Sequence, residues 1–367
     1  MRRPASLDLG GRFDFALGRL RLTPGSCQSA RLAPLYICSC YIGCALPLLE
    51  KALIARIRRE AERSGATLDG GIGIGDDCAV LRIPRGHEAL ITTDFSLENV
   101  HFRRAWHPPE SVGHRCLARG LSDIAAMGGE PLAAFLSLAL PKSLPQPWVD
   151  RFFRGLLKLA AKFKVGVAGG DTAQSPGGIL ADIMVLGSVP KGEAVLRSGA
   201  RPGEGIYVTG ELGAAAAVLD LLYRRKKLRP EDYPDQFYLY PAPRVVMGRF
   251  LRRNGLASAM IDISDGLSTD LGHVCEESGV GAEIEAAAIP VAAIGDPARK
   301  VDLGFALHGG EDYELLFTAP GGRRVPSRIA GVAVRRIGQI TRRRGIFLKA
   351  DGVKRELPAR GWEHFKK

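Results

Sequence analysis

Two α/β domains of similar size are the fold class this sequence predicts, and three observations lead there. Apolar residues recur with interleaved helical and strand periods from Leu48 to Phe317, so helices and strands alternate rather than segregate. A turn-rich stretch, Pro190 to Gly205 with Pro202-Gly203 near its end, interrupts that alternation close to the middle. The chain has 367 residues, 46% of them hydrophobic, which is enough to bury a substantial core and favours two domains over one.

The regular pattern starts at Leu48. Leu49, Leu53, Ile54 and Ile57 fall on one helical face, opposite Glu50, Lys51, Arg58 and Arg59. A strand then reads over Ala89 to Thr93, a helix over Ser111 to Met127, a strand over Leu132 to Leu140 and a helix over Pro147 to Phe163. Strands follow at Val165 to Ala168 and Ile179 to Ser188. Beyond the turn-rich boundary come a strand at Ile206 to Thr209, helices at Leu212 to Tyr223 and Arg244 to Asn254, and a strand at Ala259 to Ile263. A helix from Gly266 to Glu277 and strands at Ala282 to Ile284 and Glu311 to Phe317 complete the readable part. The domains are expected at 48–190 and 191–367.

Residues 1–47 read differently, rich in Arg, Ser, Leu and Cys, with Asp8 and Asp14 as their only acids and no sustained periodicity. They lack the charged, then apolar, then small-residue order of a targeting peptide, so they are expected to lie outside the fold, as a disordered tail or a wrongly called start.

Composition excludes several function classes. No run reaches the ~18 apolar residues of a membrane-spanning helix, so no membrane partner is expected. The formal charge of +12 raises a nucleic-acid reading. However, Arg58-Arg59, Arg224 to Lys227 and Arg342 to Arg344 are short, separated and not interleaved with aromatics, as solvated faces are. No nucleic-acid partner is expected, although a basic surface does steer phosphorylated metabolites. Seven cysteines, an odd number without paired CxxC spacing, suit reduced thiols in the cytoplasm. Cys38-x-Cys40-x3-Cys44 has no accompanying His or second pair to make a metal cluster.

The chemistry is carried by acids. Asp76-Asp77 lie in Gly73-Ile-Gly-Asp-Asp-Cys, Asp94 in Thr92-Thr93-Asp94, Asp123 in Leu121-Ser-Asp-Ile, Asp171 in Gly169-Gly170-Asp171-Thr172, and Asp262 with Asp265 in Ile261-Asp-Ile-Ser-Asp-Gly266. Each follows or interrupts an apolar segment, which predicts acidic turns at the edge of the core. Singly, any of them could be a cap or an Asx turn, and Asp265-Gly266 suits a cap especially well. As a group they need compensation, and basic residues are scarce nearby in the sequence. Hard oxygen ligands suit Mg²⁺, which binds through a few carboxylates together with substrate phosphates. No G-x-x-x-x-G-K-[ST] stretch and no protein-kinase HRD or DFG constellation is present. Nor is there a Ser-His-Asp or Cys-His arrangement. Phosphoryl transfer to an existing phosphate needs neither, because such an acceptor is already anionic.

Taken in order, Gly73-Ile-Gly-Asp-Asp-Cys-Ala, Thr92-Thr-Asp with His101 beyond it, Leu121-Ser-Asp-Ile-Ala-Ala-Met-Gly128, Gly169-Gly-Asp-Thr172, Arg197-Ser-Gly-Ala200, Ile261-Asp-Ile-Ser-Asp-Gly-Leu267 and Gly309-Gly-Glu-Asp-Tyr-Glu-Leu-Leu-Phe317 resemble the thiamine-monophosphate kinases. The resemblance covers about Leu49 to Phe365. It implies the aminoimidazole ribonucleotide synthetase-like fold, with an N-terminal dimerising α/β domain, a C-terminal α/β domain that closes over the nucleotide, and a homodimer. It implies ATP and thiamine monophosphate as substrates, and several Mg²⁺ held by Asp77, Thr92, Thr93, Asp94, Asp123, Asp171, Asp262 and Asp265. Asp94, Asp123 and Asp265 are implied at the reaction centre, Gly170, Asp171, Arg197 and Ser264 at ATP, and His101, Glu311 and Trp362 at the thiamine phosphate.

On residue type alone, His101 could be a surface or capping histidine, Glu311 the end of a turn, and Trp362 a tail residue packing on the core. Together, an aromatic face and a carboxylate suit a cationic thiazolium and an aminopyrimidine. Asn99 stands where glycine is common in the family, and residues 1–47 have no usual counterpart.

Sister activities are the rivals. A selenophosphate synthetase would carry its reactive Cys before the glycine-rich loop, whereas Cys78 follows Asp77. A hydrogenase-maturation type would work on a C-terminal cysteine, and this sequence reads Glu363-His-Phe-Lys-Lys367 there. The stretch Gly309 to Phe317 also favours the thiamine branch over an aminoimidazole ribonucleotide-forming ligase.

Overall fold

The computed structural model describes residues 48–224, 236–295 and 297–362, which belong to one compact unit. The expectations for residues 1–47, including Cys27, Cys38, Cys40 and Cys44, for Arg225 to Lys227 and for the segment from Glu363 lie outside the described residues.

The chain opens with α1 (Glu50–Ser64), whose Leu53, Ile57 and Ala61 are buried and whose end is stopped by Gly65 in a left-handed cap. There follow β1 (His87–Leu97), α2 (Pro109–Ala126), β2 (Glu130–Pro141), α3 (Gln146–Phe163), β3 (Gly166–Ser175) and β4 (Leu180–Pro190). These strands form one sheet in the order β1-β4-β2-β3, antiparallel except for the β2/β3 pair. The parallel pair is joined through α3, the long crossover that such a pair requires.

The second half contains β5 (Gly205–Thr209), α4 (Ala214–Arg224), α5 (Gln236–Leu239), α6 (Val245–Arg253), β6 (Ala259–Asp262), α7 (Leu267–Ser278), β7 (Gly281–Glu285), β8 (Ala293–Ile294), β9 (Arg299–Lys300) and α8 (Leu303–His308). It closes with β10 (Leu315–Ala319), β11 (Arg328–Ile329), β12 (Val332–Thr341), β13 (Gly345–Ala350) and β14 (Val353–Glu356). The larger sheet runs β14-β13-β7-β12-β5-β10-β6, with β11 on β12 and with β8 and β9 paired separately.

The helix that matters most is α2. It packs on β1, β4 and α3 and also on β6 and α6, so it is buried on nearly every side, with Cys116, Leu117, Ala118 and Leu121 fully inside. Each large apolar side chain buried there contributes about 1.5–3 kcal/mol. That burial fixes Arg115, Arg119 and Asp123 of α2 at the junction of the two halves.

Three expectations need correction. Asp94 lies within β1, Asp123 within α2 and Asp171 within β3, rather than in acidic turns. Strand alternation and helical spacing aim these carboxylates without any turn. The strand expected from Glu311 starts only at Leu315, because Glu311 (φ 67°) and Tyr313 (φ 51°) are left-handed. The four strands after Ala319 were not read, since the register shift between Arg336 and Gly338 breaks the period-two pattern in β12.

Candidate active site

The strand β1 builds the first wall. Alternation turns Thr92 and Asp94 inward and leaves Ile91, Thr93 and Phe95 exposed on the opposite face. Facing them on α2 are Arg115, Arg119 and Asp123, spaced four apart and so aligned along one side of the helix. The last residue of β6, Asp262, comes in from the other half.

These groups form one hydrogen-bonded acidic centre. Thr92 Oγ1 donates to Asp123 Oδ2, Asp94 and Asp123 bond to each other, and Ser122 Oγ donates to Asp262 Oδ2 at 2.7 Å. Burial, reinforced by the charge of Asp123, raises both Asp94 and Asp262 to about 7. Asp123 is also raised by burial, against the pull of Thr92 and Arg197. The expected scarcity of basic groups is therefore corrected. Arg119 acts on Asp94, and Arg197 acts on Asp123 and Asp262, both arriving from positions remote in sequence from most of these acids.

The donor set fits a hard divalent cation. It offers carboxylates and a threonine hydroxyl, and the neighbouring Cys116 is kept a thiol by burial, which pushes it up to about 12.

A second acidic group adjoins it. One ligand atom each from Asp265, Asp270 and His273 lie within 4.8 Å of one another. Asp265 itself is not the N-cap residue. Gly266 is the N-cap of α7, and the Asp270 carboxylate reaches back to accept from the backbone N–H groups of Asp265 at 3.2 Å and Gly266 at 2.9 Å.

Two cavities hold the remaining expected residues. The first, about 630 Å³, is lined by Gly73, Asp76, Asp77, Gly170, Asp171 and Thr172, with Ile54, Phe135 and Phe153 as its apolar wall. Gly170 has φ 146°, and a Cβ there would sit 1.9 Å from the Leu136 carbonyl oxygen, so only glycine lets β3 pass. The acids of this cavity are exposed and bond locally. Asp76 Oδ1 accepts from Asp77 N at 2.9 Å and Asp171 Oδ1 from Thr172 N at 2.8 Å. The buried Thr172 Oγ1 has no protein partner among the described residues, an orphan hydroxyl in the cavity wall.

The second cavity, about 520 Å³, gathers His101, Ser264, Asp265, Glu311 and Trp362 with Arg119. Thus the residues expected at the thiamine phosphate, drawn from both ends of the chain, share one space. Backbone contacts knit its floor. Glu311 N donates to Ser264 O at 2.8 Å, and Trp362 N to Asp265 O at 3.1 Å. Trp362 is 57% exposed and lines this cavity, so it is not packed into the core. His101 Nδ1 accepts from Leu97 N at 3.0 Å. Burial pushes Glu311 up, but Arg115 at 2.6 Å and Arg119 outweigh it and hold the carboxyl below its usual range.

Family models of AIR synthase related proteins match here, the N-terminal domain over 75–189 and the C-terminal domain over 201–351. A thiamine-monophosphate kinase of Salmonella typhimurium is 39% identical, over 86% of this chain and 98% of its own. This chain belongs to the thiamine-monophosphate kinase family. Its two-domain α/β architecture is that of the solved thiamine-monophosphate kinase from Stenotrophomonas maltophilia, 33% identical with a TM-score of 0.71 over 82% of this chain and 97% of that one. AaThiL complexed with AMPPCP and TMP is 32% identical, with a TM-score of 0.67 over 86% of this chain and 97% of that one.

Sequence reasoning missed several groups that shape this thiamine-monophosphate kinase family site. Arg115 is buried, pairs with Glu311, donates to the Tyr238 carbonyl and lies over the Tyr238 ring at 4.9 Å. His107, 2% exposed, is lowered to about 4 by burial and by Arg115, so it lines the second cavity as a neutral imidazole. The i, i+4, i+8 spacing of Arg115, Arg119 and Asp123 was the available signal for the two arginines. His107 offered none.

Proposed function

We propose that this chain transfers the γ-phosphoryl group of ATP to the phosphate of thiamine monophosphate, giving thiamine diphosphate. The observation that carries the reading is the second cavity, where an ionised carboxylate, an exposed indole and a histidine sit beside a buried acidic centre. Membership of the family and the named ligands of AaThiL support it.

In this reading Asp77, Thr92, Asp94, Asp123, Asp171, Asp262 and Asp265 hold Mg²⁺, with Asp94, Asp123 and Asp265 nearest the reacting phosphates. The side chain of Thr93, also expected as a ligand, lies on the opposite face of β1 and leaves only its backbone to take part. When bound, the ions neutralise the polyphosphate and the charge that spreads over the transferred group. The remaining work is positioning by the chain itself. Gly170 and Asp171 cradle ATP, with Arg197 and Ser264 contributing from the second half. Glu311, held ionised by Arg115, and the Trp362 ring face the cationic thiazolium and the aminopyrimidine, and His101 closes the cavity beside them. The acceptor phosphate needs no protein base, because its second pKa of about 6 leaves it anionic.

The domains divide at 48–190 and 191–367, and the enzyme works as a cytoplasmic homodimer. The exposed apolar face of the first sheet supports the dimer, with Ile91 64%, Phe95 55% and Met184 39% exposed. Among the described residues no helix is long and apolar enough to cross a membrane.

The test is diphosphate formation from ATP, Mg²⁺ and thiamine monophosphate, with free thiamine as control acceptor. Product from the monophosphate alone, lost with chelator, is expected. A folded, ATP-binding protein that makes no product would send the assignment to the sister ligases.

A further inference from the structure

Two arginines line the second cavity, and their placements differ. Arg103 lies at the aromatic end, its guanidinium 4.5 Å from the Trp106 ring and 5.0 Å from the Tyr223 ring, with Nη2 donating to Tyr223 Oη at 3.3 Å. Arg119 lies on α2, one turn before Asp123 and one turn after Arg115, where its charge reaches the acidic centre. Its Nη1 donates to the Phe95 carbonyl at 2.7 Å. Its charge acts on Asp94 and Asp123 on one side and on Glu311 on the other. Arg119 therefore bridges the acidic centre and the substrate cavity.

We propose that Arg119 is a specificity-determining residue that binds the phosphate of the acceptor and so selects thiamine monophosphate over thiamine. The inference rests on the kinase reading. An acceptor phosphate must meet the γ-phosphoryl group at the acidic centre, so it occupies the cavity end where Arg119 stands. A guanidinium carries five N–H donors in a planar fork. The Phe95 carbonyl accepts from one of them, at Nη1, and the donors on the other nitrogens are the ones two phosphate oxygens would take. Arg115 cannot take this part, because Glu311 and the Tyr238 carbonyl already engage its guanidinium. Arg103 is committed to Trp106 and Tyr223. An acceptor without phosphate would fill the cavity and leave the Arg119 fork without its anion, which is a penalty rather than a mere loss of contact.

Calorimetric titration of thiamine monophosphate and of thiamine into the full chain tests this, with Mg²⁺ and a non-hydrolysable ATP analogue present. Wild type is compared with Arg119→Leu and Arg119→Lys, each checked for an unchanged melting temperature. In Arg119→Leu the Kd for thiamine monophosphate is expected to rise roughly 10- to 100-fold while that for thiamine stays level or falls as the penalty is relieved. Arg119→Lys should recover part of the loss, since it keeps the charge without the fork. The KM for ATP should not move. Equal weakening of both ligands, or a variant that still discriminates as wild type does, overturns the role of Arg119 and leaves the kinase reading standing. Wild type that binds neither ligand overturns both.

Discussion

The acids of the central group and those of the glycine-rich cavity are the same residue type under opposite physical conditions. Asp94, Asp123 and Asp262 are withdrawn from water and raised by burial, Asp94 and Asp262 also by the charge of Asp123. Asp76, Asp77 and Asp171 are exposed, and Asp76 and Asp171 bond the next backbone amide. The first group is incomplete as a set of anions until positive charge arrives, whereas the second faces solvent. Glu311 is a third case, a half-buried carboxylate to which the protein supplies its own cation in Arg115.

The sharpest way to break the comparison is Asp123→Asn against Asp77→Asn. The central change should lower kcat/KM for diphosphate formation by about 10³-fold, the loss of several kcal/mol of charge stabilisation. The peripheral change should cost about tenfold. Equal losses in steady-state assays would erase the distinction.

The contrast with Glu311 is tested by Arg115→Met, which strands a carboxylate without its partner and should destabilise the fold by roughly 3 kcal/mol in urea unfolding. Adding Glu311→Gln should recover most of that. A double variant no more stable than the single would mean that Arg115 acts through packing alone.

A pH series in chelator tests the raised group directly. Asp94 and Asp262 move from an ordinary 3.8 to about 7 in the fold. The folded protein thus holds more protons than the unfolded chain in that window. Their stabilising contribution is complete below about 3.8 and is lost as pH rises through about 7. The melting temperature should fall across this range by more than in Asp94→Asn, and Mg²⁺ should restore it at neutral pH. A flat profile would show that the carboxylates ionise freely.

The most local change is Gly170→Ala, which pushes a methyl group into the Leu136 carbonyl and forces β3 to shift where it lines the first cavity. The KM for ATP should rise about tenfold, equivalent to ~1.4 kcal/mol, with thiamine monophosphate affinity unchanged by titration. A parallel loss for both substrates would place Gly170 in the general fold instead.

Much of this was legible because periodicity is local. The elements from α1 to α7, apart from the one-turn α5, announce themselves by spacing alone, and the acidic motifs mark the residues that the fold gathers. What could not be read depends on the third dimension. Thr92 and Thr93 are neighbours of one type, yet only Thr92 reaches Asp123, since adjacent strand residues face opposite ways. The service of Arg115 to Glu311, 196 positions later in the numbering of the pair, is set by α2 passing between the halves. Strands β12 to β14 escaped because a bulge and a run of arginines disguise their alternation.

The double use of β1 has an evolutionary consequence. Asp94 and Thr92 serve the reaction centre, and Ile91 and Phe95 cover the other face, on the same few residues. A single-residue insertion or deletion before Thr92 would exchange the two faces at once, placing apolar side chains among the carboxylates and an acid on the bare side of the sheet. This strand is thus closed to length variation, and drift within it is confined to like-for-like replacements on each side. The turn between β13 and β14, far from either face, is free to lengthen.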